Sequence, residues 1–597
     1  MANQLLLLLH ATRARFYNAI DIIILLLTPA FLCLAVPDWI FARPHPIYDS
    51  YVYLGYFRNF GHQVTFTYWG TRLPFIIPGY ICYKISPPLI ANYVLHLGFY
   101  YVALFSLYFI LRIAVNKRAA LLTAALMGFY PYFMATMGWD YVDGAGIAYF
   151  LLTLLLLTMA AKSPHIAQTP RQKQRSNTVL SKKCGILLFL AGMSFAALIY
   201  TQTFLLIMTP SLVLYYLIMR PQPLSLLLKS VFIAGSGVIM VTILFGIVNV
   251  AIGGSFLFFE RSFDFAWWYL TEPGTSPWFV AYHWWLPHAP HTVFPFFIFL
   301  TSLLFIIVSL VRVKSGLFTV SNLLQIARDN IFSLCHLLNF SFMLIMQLLG
   351  KPVFQYQFYA SYLLPTAFLA AGAQLAASLS RLGKSQYTGI ATITVFLLAG
   401  SYLIYYHTPL RSLMSQADSM WYVSAMLVAG TLCLFMADKR RRTINTLLVS
   451  LALLLFASTN ITLFPTKFAQ MAYCACEQRK EKFLALIKSD DILRPYDANG
   501  KLRIWYSWTE PLGELYTGIV TTGLRGHRLI NNTFPKAETI KIPPGTEIVI
   551  LSGDKDALLK ANAALNLLGL QANLIRTEEI TQGSSSFTMT FIRAEAY

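Results

Sequence analysis

Carboxylates are scarce in this chain. Of 597 residues only 25 are Asp or Glu, against 45 Lys and Arg, and charged residues of both signs make up 12%. A chain that is 57% hydrophobic, with a mean hydropathy of +0.59, lacks the polar surface to cover a soluble globular domain, and that class is excluded. A glycine-rich phosphate loop is also missing: Pro543, Pro544 and Gly545 mark a turn, and no glycine run leads from a strand into a helix. His283, His288 and His291 do not have the spacing of two zinc ligands on one helical turn, and Asp140 with Asp143 is not the Asp-x-Asp pair that holds a divalent ion.

Long apolar runs are there instead. Stretches of roughly 16 to 23 residues recur at 18–36, 92–112, 119–137, 144–161, 184–203, 204–219, 230–252, 294–313, 331–350, 363–380, 387–405, 421–437 and 444–464, each long enough to cross a hydrocarbon core of ~30 Å as a helix. The first starts well inside the chain and lacks a small-residue cleavage site, so it is expected to stay as a span. With the N-terminus cytoplasmic, inside loops carry 22 Lys and Arg, among them the run Lys439, Arg440, Arg441, Arg442. Outside loops carry seven: Arg43, Arg58, Arg72, Lys84, Arg261, Lys351 and Arg411. That bias fixes the orientation, and an odd number of spans places the C-terminal segment outside. Residues 1–465 hold +18 of the net +20, so the charge reflects topology and does not imply nucleic acid.

From 466 onward the composition turns ordinary. Leu502–Trp508 and Glu547–Ser552 read as strands, Asp554–Leu568 as an amphipathic helix, and Ala572–Ile575 and Phe587–Ile592 as further strands. The expected fold is an α-helical polytopic membrane protein, with about thirteen transmembrane helices over 1–465 and a small soluble α/β domain over 466–597. Cys82, Cys474 and Cys476 fall outside; a bridge between Cys82 and that pair is left open by the sequence.

The few acids are unevenly placed. Asp38, Asp49, Asp140, Asp143, Glu260, Asp264, Glu272 and Asp418 fall on the outer face, and only Asp21, Asp329 and Asp438 on the inner. Carboxylates gathered opposite the basic loops point to a function at that face. Asp49 lies in a long aromatic loop from Pro37 to Ile90, in the string Tyr48-Asp49-Ser50-Tyr51, ahead of Thr71-Arg72-Leu73-Pro74. Asp140 and Asp143 lie where the third run ends and the fourth begins; Asp143 also suits the N-terminus of a helix, where free N–H groups favour a carboxylate. Arg72 and Lys351 are the cations best placed to hold a phosphate. A second long outside loop, Gly253–His291, carries Glu260, Asp264 and tryptophans, among them Trp267, Trp268, Trp284 and Trp285, suited to the interfacial belt or to stacking on sugars.

In order and sidedness these features resemble the GT-C glycosyltransferases, among them the protein O-mannosyltransferases and the lipid A aminoarabinose transferase. The first-loop acid of that family matches Asp49, its acid before an apolar run matches Asp143 in Asp143-Gly144-Ala145-Gly146, its first-loop basic residue is similar to Arg72, and its Tyr-Leu-Leu-Pro element matches Tyr362-Leu363-Leu364-Pro365. Thr71 and Ser361 depart from the pattern, standing where an acid and a base are frequent.

The resemblance implies an inverting glycosyltransferase in a bacterial inner membrane. It would take its sugar from a polyprenyl-phosphate-linked donor and pass it to a hydroxyl acceptor on the extracytoplasmic face. Asp49 would act as base, Asp143 with Asp140 behind it would orient the acceptor or share the base role, and Arg72 and Lys351 would hold the donor phosphate. Glu260, Asp264 and Tyr362 are secondary candidates. Side-chain cations suffice to balance a lipid monophosphate, so no cofactor is required and a divalent metal stays open. The competing class is a transporter or flippase for lipid-linked sugars, but key charges near the midplane and paired interrupted helices, its marks, are not seen.

Overall fold

The computed structural model describes residues 19–30, 33, 38–41, 49–60, 68–138, 142–163, 180–271, 290–311, 319–351, 353–354, 356–379, 474–497, 502–506, 512–522, 529–531, 542–582 and 585–597. The expected spans at 387–405, 421–437 and 444–464 lie outside these residues, as does the 465/466 boundary.

Among the described residues the first part of the chain is helical throughout: α1 (Ala19–Ala30), α2 (Asp49–Asn59), α3 (Leu73–Ile85), α4 (Pro88–Ala114), α5 (Lys117–Gly128), α6 (Pro131–Met137), α7 (Asp143–Lys162), α8 (Lys182–Thr201), α9 (Thr209–Met219), α10 (Leu224–Ala251), α11 (Glu260–Thr271), α12 (Val293–Val311), α13 (Val320–Asp329), α14 (Ile331–Leu348) and α15 (Leu364–Leu379). Six described helices are long and apolar enough to cross a membrane: Pro88–Ala114, Asp143–Lys162, Lys182–Thr201, Leu224–Ala251, Ile331–Leu348 and Phe358–Ala377.

Local signals set the ends. Asn116 caps α5 by accepting from Ala119 N at 2.8 Å, Ser181 caps α8 by accepting from Cys184 N at 3.2 Å, and prolines open α4 and α6. The run expected as one span at 119–137 is broken into α5 and α6, because Pro131 forces Tyr130 into an extended conformation (ψ 120°). The 184–219 pair is interrupted at Gln202, extended at φ −154°, and continues through a 3-10 stretch, Thr203–Met208, into α9. The loops expected at 37–90 and 253–291 are not wholly irregular: α2 and α3 fold inside the first, α11 inside the second.

Helices approach closely where glycine allows it. A Cβ on Gly192 of α8 would lie 1.8 Å from Ala234 O of α10, and one on Gly237 of α10 would lie 2.1 Å from Phe189 O of α8. At one end of the bundle the charges serve the scaffold. Asp21 accepts from Tyr108 Oη at 2.7 Å and pairs with Lys117 at 3.2 Å, and Arg220 donates to the carbonyls of Ala160 and Ser163.

The C-terminal region begins with a helix not anticipated from its sequence, α16 (Cys474–Asp497), followed by β1 (Leu502–Tyr506), α17 (Gly513–Thr522), β2 (Leu529–Asn531), β3 (Thr546–Ser552), α18 (Ala557–Asn566), β4 (Leu570–Gln582) and β5 (Ser585–Ala596). The sheet order is β2-β1-β3-β5-β4, parallel among the first three and antiparallel from β3 to β5 and β5 to β4. β4 and β5 form a hairpin much longer than the two short strands expected, since most of β4 alternates or is exposed and shows no apolar run. α18 covers one side of the sheet with Ala557, Ala561, Ala564 and Leu565; residues such as Ile504, Val549, Leu551 and Phe591 point the other way, into a core continuous with that of the helical bundle.

Candidate functional site

The site is built at the opposite end of the bundle from Asp21 and Arg220, where α7 begins, α8 ends, and α14 hands over to α15. Asp143 is the first residue of α7 and is 2% exposed; the N-cap position itself falls to Val142. A helix N-terminus favours a carboxylate there, and the Tyr362 hydroxyl donates to Asp143 Oδ1 from 219 residues away. Gly146, one turn further, makes room for that tyrosine: a Cβ would lie 2.9 Å from Tyr362 Cε1 and 2.9 Å from Leu205 Cδ1.

Arg72 sits at the N-cap position of α3, just before Leu73 and Pro74, and is 3% exposed. Its Nη1 donates to Tyr53 Oη at 2.5 Å and its Nη2 to Gln202 Oε1 at 2.7 Å, while the guanidinium lies 5.2 Å from the ring centre of Tyr68. The break between α8 and α9 is thus what delivers Gln202. The turn holding Arg72 is fastened to α11, where Ser262 Oγ bonds Thr71 Oγ1 and donates to Tyr68 O at 3.4 Å, and Phe265 stacks on Tyr68 at 4.3 Å and 7°.

Lys351 follows α14 through a glycine C-cap: Gly350 adopts φ 81°, its N–H bonds Gln347 O at 3.1 Å, and Lys351 N bonds Met346 O at 3.0 Å. The ammonium, on a residue 6% exposed, stands 5.2 Å from the ring centre of Tyr269. Burial pushes the Tyr269 phenol up to about 12, so the ring stays neutral. Ser262, Phe265 and Tyr269 are three and four apart, one stripe on α11, so Arg72 and Lys351 share a single aromatic shelf. Tyr359 carries the shelf on, touching Tyr269 and Phe204, three residues before Tyr362.

Of the residues singled out in the sequence, Asp143, Tyr362, Arg72 and Lys351 gather at this end. Asp49 opens α2, the helix whose Tyr53 bonds Arg72. Asp140 lies outside the described residues. Glu260 and Asp264 are exposed, on the face of α11 turned away from the stripe. His291 is buried and bonds Phe354 O at 2.9 Å, and burial lowers its pKa to about 4, keeping the ring neutral; His283 and His288 are outside the described residues, and among the described ones no three His, Cys, Asp or Glu gather as a metal site. Cys82 is a free thiol, and the side chains of Cys474 and Cys476 are outside the described residues. Sequence reasoning missed Tyr53, Gln202 and Tyr269. Gln202 had a signal, as the lone amide inside the apolar stretch 184–219; the tyrosines had none among so many aromatics.

No protein-family model matches the chain. No curated protein matches it either. Among solved structures it is similar to two crystal structures of ArnT from Cupriavidus metallidurans. The apo state has a TM-score of 0.46 at 12% identity, over 97% of this chain and 98% of that one. The form bound to undecaprenyl phosphate has a TM-score of 0.38 at 12% identity, over 87% of this chain and 84% of that one. At such scores the likeness is loose and assigns no residue.

Proposed function

We propose that this chain is a membrane glycosyltransferase of GT-C type, with about thirteen spans and a C-terminal domain on the extracytoplasmic side. It transfers a sugar from a polyprenyl-phosphate-linked donor to a hydroxyl acceptor. The observation that carries the reading is the pair of buried cations, Arg72 and Lys351, on one aromatic shelf at the same end of the bundle as the buried carboxylate of Asp143. A lipid phosphate needs cations to receive the charge that builds on it as the anomeric bond breaks, and the guanidinium fork and the ammonium supply them. Rings beside them suit a sugar or an isoprenoid unit.

In this reading Asp49, at the start of α2, takes the proton of the acceptor hydroxyl. The acceptor oxygen forms its bond to the anomeric carbon as the bond from that carbon to the phosphate oxygen breaks. The lipid phosphate leaves with its electron pair, held by Arg72 and Lys351, and the anomeric centre is inverted. Asp143, fixed by Tyr362 and the α7 terminus, orients the acceptor.

The test uses the purified protein in proteoliposomes with a panel of polyprenyl-phosphate sugars, products being read by mass spectrometry. Asp49→Asn should reduce transfer by roughly 10²–10⁴-fold, the usual worth of general-base assistance, with donor binding retained. Near-normal transfer by that variant at saturating donor would move the base elsewhere, with Glu260 and Asp264 next to be tried.

A further inference from the structure

Helix α2 is held between two bodies. Its Tyr53 and Phe57, one turn apart, face α3: both rings meet Phe75 edge-on at 5.2 and 5.3 Å, and Tyr53 carries the hydroxyl that receives Arg72. Tyr51 and Arg58, two turns apart, lie on another face and meet the C-terminal region. A Cβ on Gly518 of α17 would lie 3.3 Å from the Tyr51 ring and 2.9 Å from Leu486 of α16, so glycine there sets how closely α17 approaches α2. At the far end Arg58 Nε donates to Asp490 Oδ2 at 2.8 Å, and Asp490, fully buried, also accepts from Arg494 at 2.8 Å. Its neighbour Asp491, 58% exposed, takes Arg58 Nη2 at 2.5 Å and adds little, since water screens it. A third fastening joins Lys480 to Asp38 at 2.9 Å, with Tyr93 Oη donating to the same carboxylate at 2.6 Å.

We infer that the C-terminal domain is a clamp on α2, and that Asp490 and Gly518 are positioning residues for the reaction at that helix's first residue. The inference rests on the reading of Asp49 as the base. An α-helix is stiff over two turns, so seating Tyr51 and Arg58 on the domain fixes Asp49 two residues before Tyr51, and fixes Tyr53, hence Arg72, on the adjoining face. Arg58, one of the seven outside-loop cations of the sequence, therefore belongs to the scaffold. Asp490→Asn removes the buried charge that Arg58 faces, which is the costly way to break such a pair; Gly518→Val wedges Tyr51 away without touching any charge.

Both variants are made in the full chain, in detergent or nanodiscs. Hydrogen exchange of residues 49–59, read by mass spectrometry, should quicken by about tenfold or more in each, while the amides of α7 keep their protection. Turnover should fall by about ten- to a hundredfold with the KM for donor nearly unchanged, as expected when a catalytic group is displaced by about an ångström, and Asp490→Glu should restore part of it. A merely structural role would lower the amount of folded protein and leave the turnover of what remains. Unchanged exchange of α2 in both variants overturns the clamp, whatever the activity. Faster exchange with normal turnover overturns the positioning role and points away from Asp49 as base, whereas loss of transfer in Asp49→Asn with the clamp intact does not depend on Asp490 at all.

Discussion

Helices α7 and α10 are similarly apolar, yet 61% of the apolar stretch of α7 is buried within the protein and only 17% of that of α10. In a bilayer, lipid tails are as apolar as leucine, so hydrophobicity does not draw one helix to another; close packing and hydrogen bonds do. α7 offers both. It begins Asp143-Gly144-Ala145-Gly146, and Thr153 bonds Ser194 at 3.0 Å, Thr158 bonds Tyr215 at 2.7 Å, and Tyr149 donates to Pro74 O at 2.9 Å. α10 makes such contacts on one side only, through Gly237 and the bond of Thr242 to Tyr200 at 2.6 Å, and presents Val231, Phe232, Ile239 and Ile247 outward. A helix that the rest of the protein surrounds can carry a water-poor site at its end, and of these two helices α7 is the one so placed.

The sharpest way to break the comparison is at the head of α7. Asp143→Asn should lower turnover by on the order of a hundredfold or more in the transfer assay, and the melting temperature of the purified variant separates chemistry from loss of the favourable charge at the helix end. Should melting and turnover fall together, Asp143 is chiefly a scaffold residue.

Next comes Arg72→Ala, where the lost charge-assisted contact should be worth about 1.5–3 kcal/mol of transition-state stabilisation, seen mostly in kcat. Arg72→Lys should recover little, because a point charge cannot bond Tyr53 and Gln202 as the planar fork does. Smaller again is Gly146→Ala. It forces the Tyr362 ring and Leu205 to yield, at a cost of about 1–3 kcal/mol in stability, readable by thermal unfolding, with activity lowered through the displaced tyrosine. The smallest effect belongs to α10: Ile239→Ala, on the outward face, should change stability by less than about 0.5 kcal/mol. A large loss there would mean that α10 meets a protein partner and not lipid.

Much of the architecture is legible in the sequence because it rests on local rules. Apolar length marked α4, α7, α8, α10 and α14, and β1 and β3 stood out as apolar strands. The misread stretches each have a physical cause. Hydropathy is blind to Pro131, which splits one expected span into α5 and α6. The aromatic first loop concealed α2 and α3, and most of β4 is too exposed to show its full length as an apolar run. At the site, charge and residue type were enough to single out Asp143, Arg72 and Lys351 separately; Tyr53, Gln202 and Tyr269, which hold or flank them, come from three other segments.

By itself, then, the sequence determined what repeats locally: apolar runs, their order, and the scarcity of acids, all set by hydrophobic length and charge, which need no partner to be read. Tertiary structure decided which groups meet. The bond from Tyr362 to Asp143 spans 219 residues, and that from Arg58 to Asp490 spans 432. Contacts so distant in the chain depend on how helices with nearly equal hydropathy sort against one another, and that sorting is governed by the shape of small residues and by paired polar groups, neither of which has a period along the sequence.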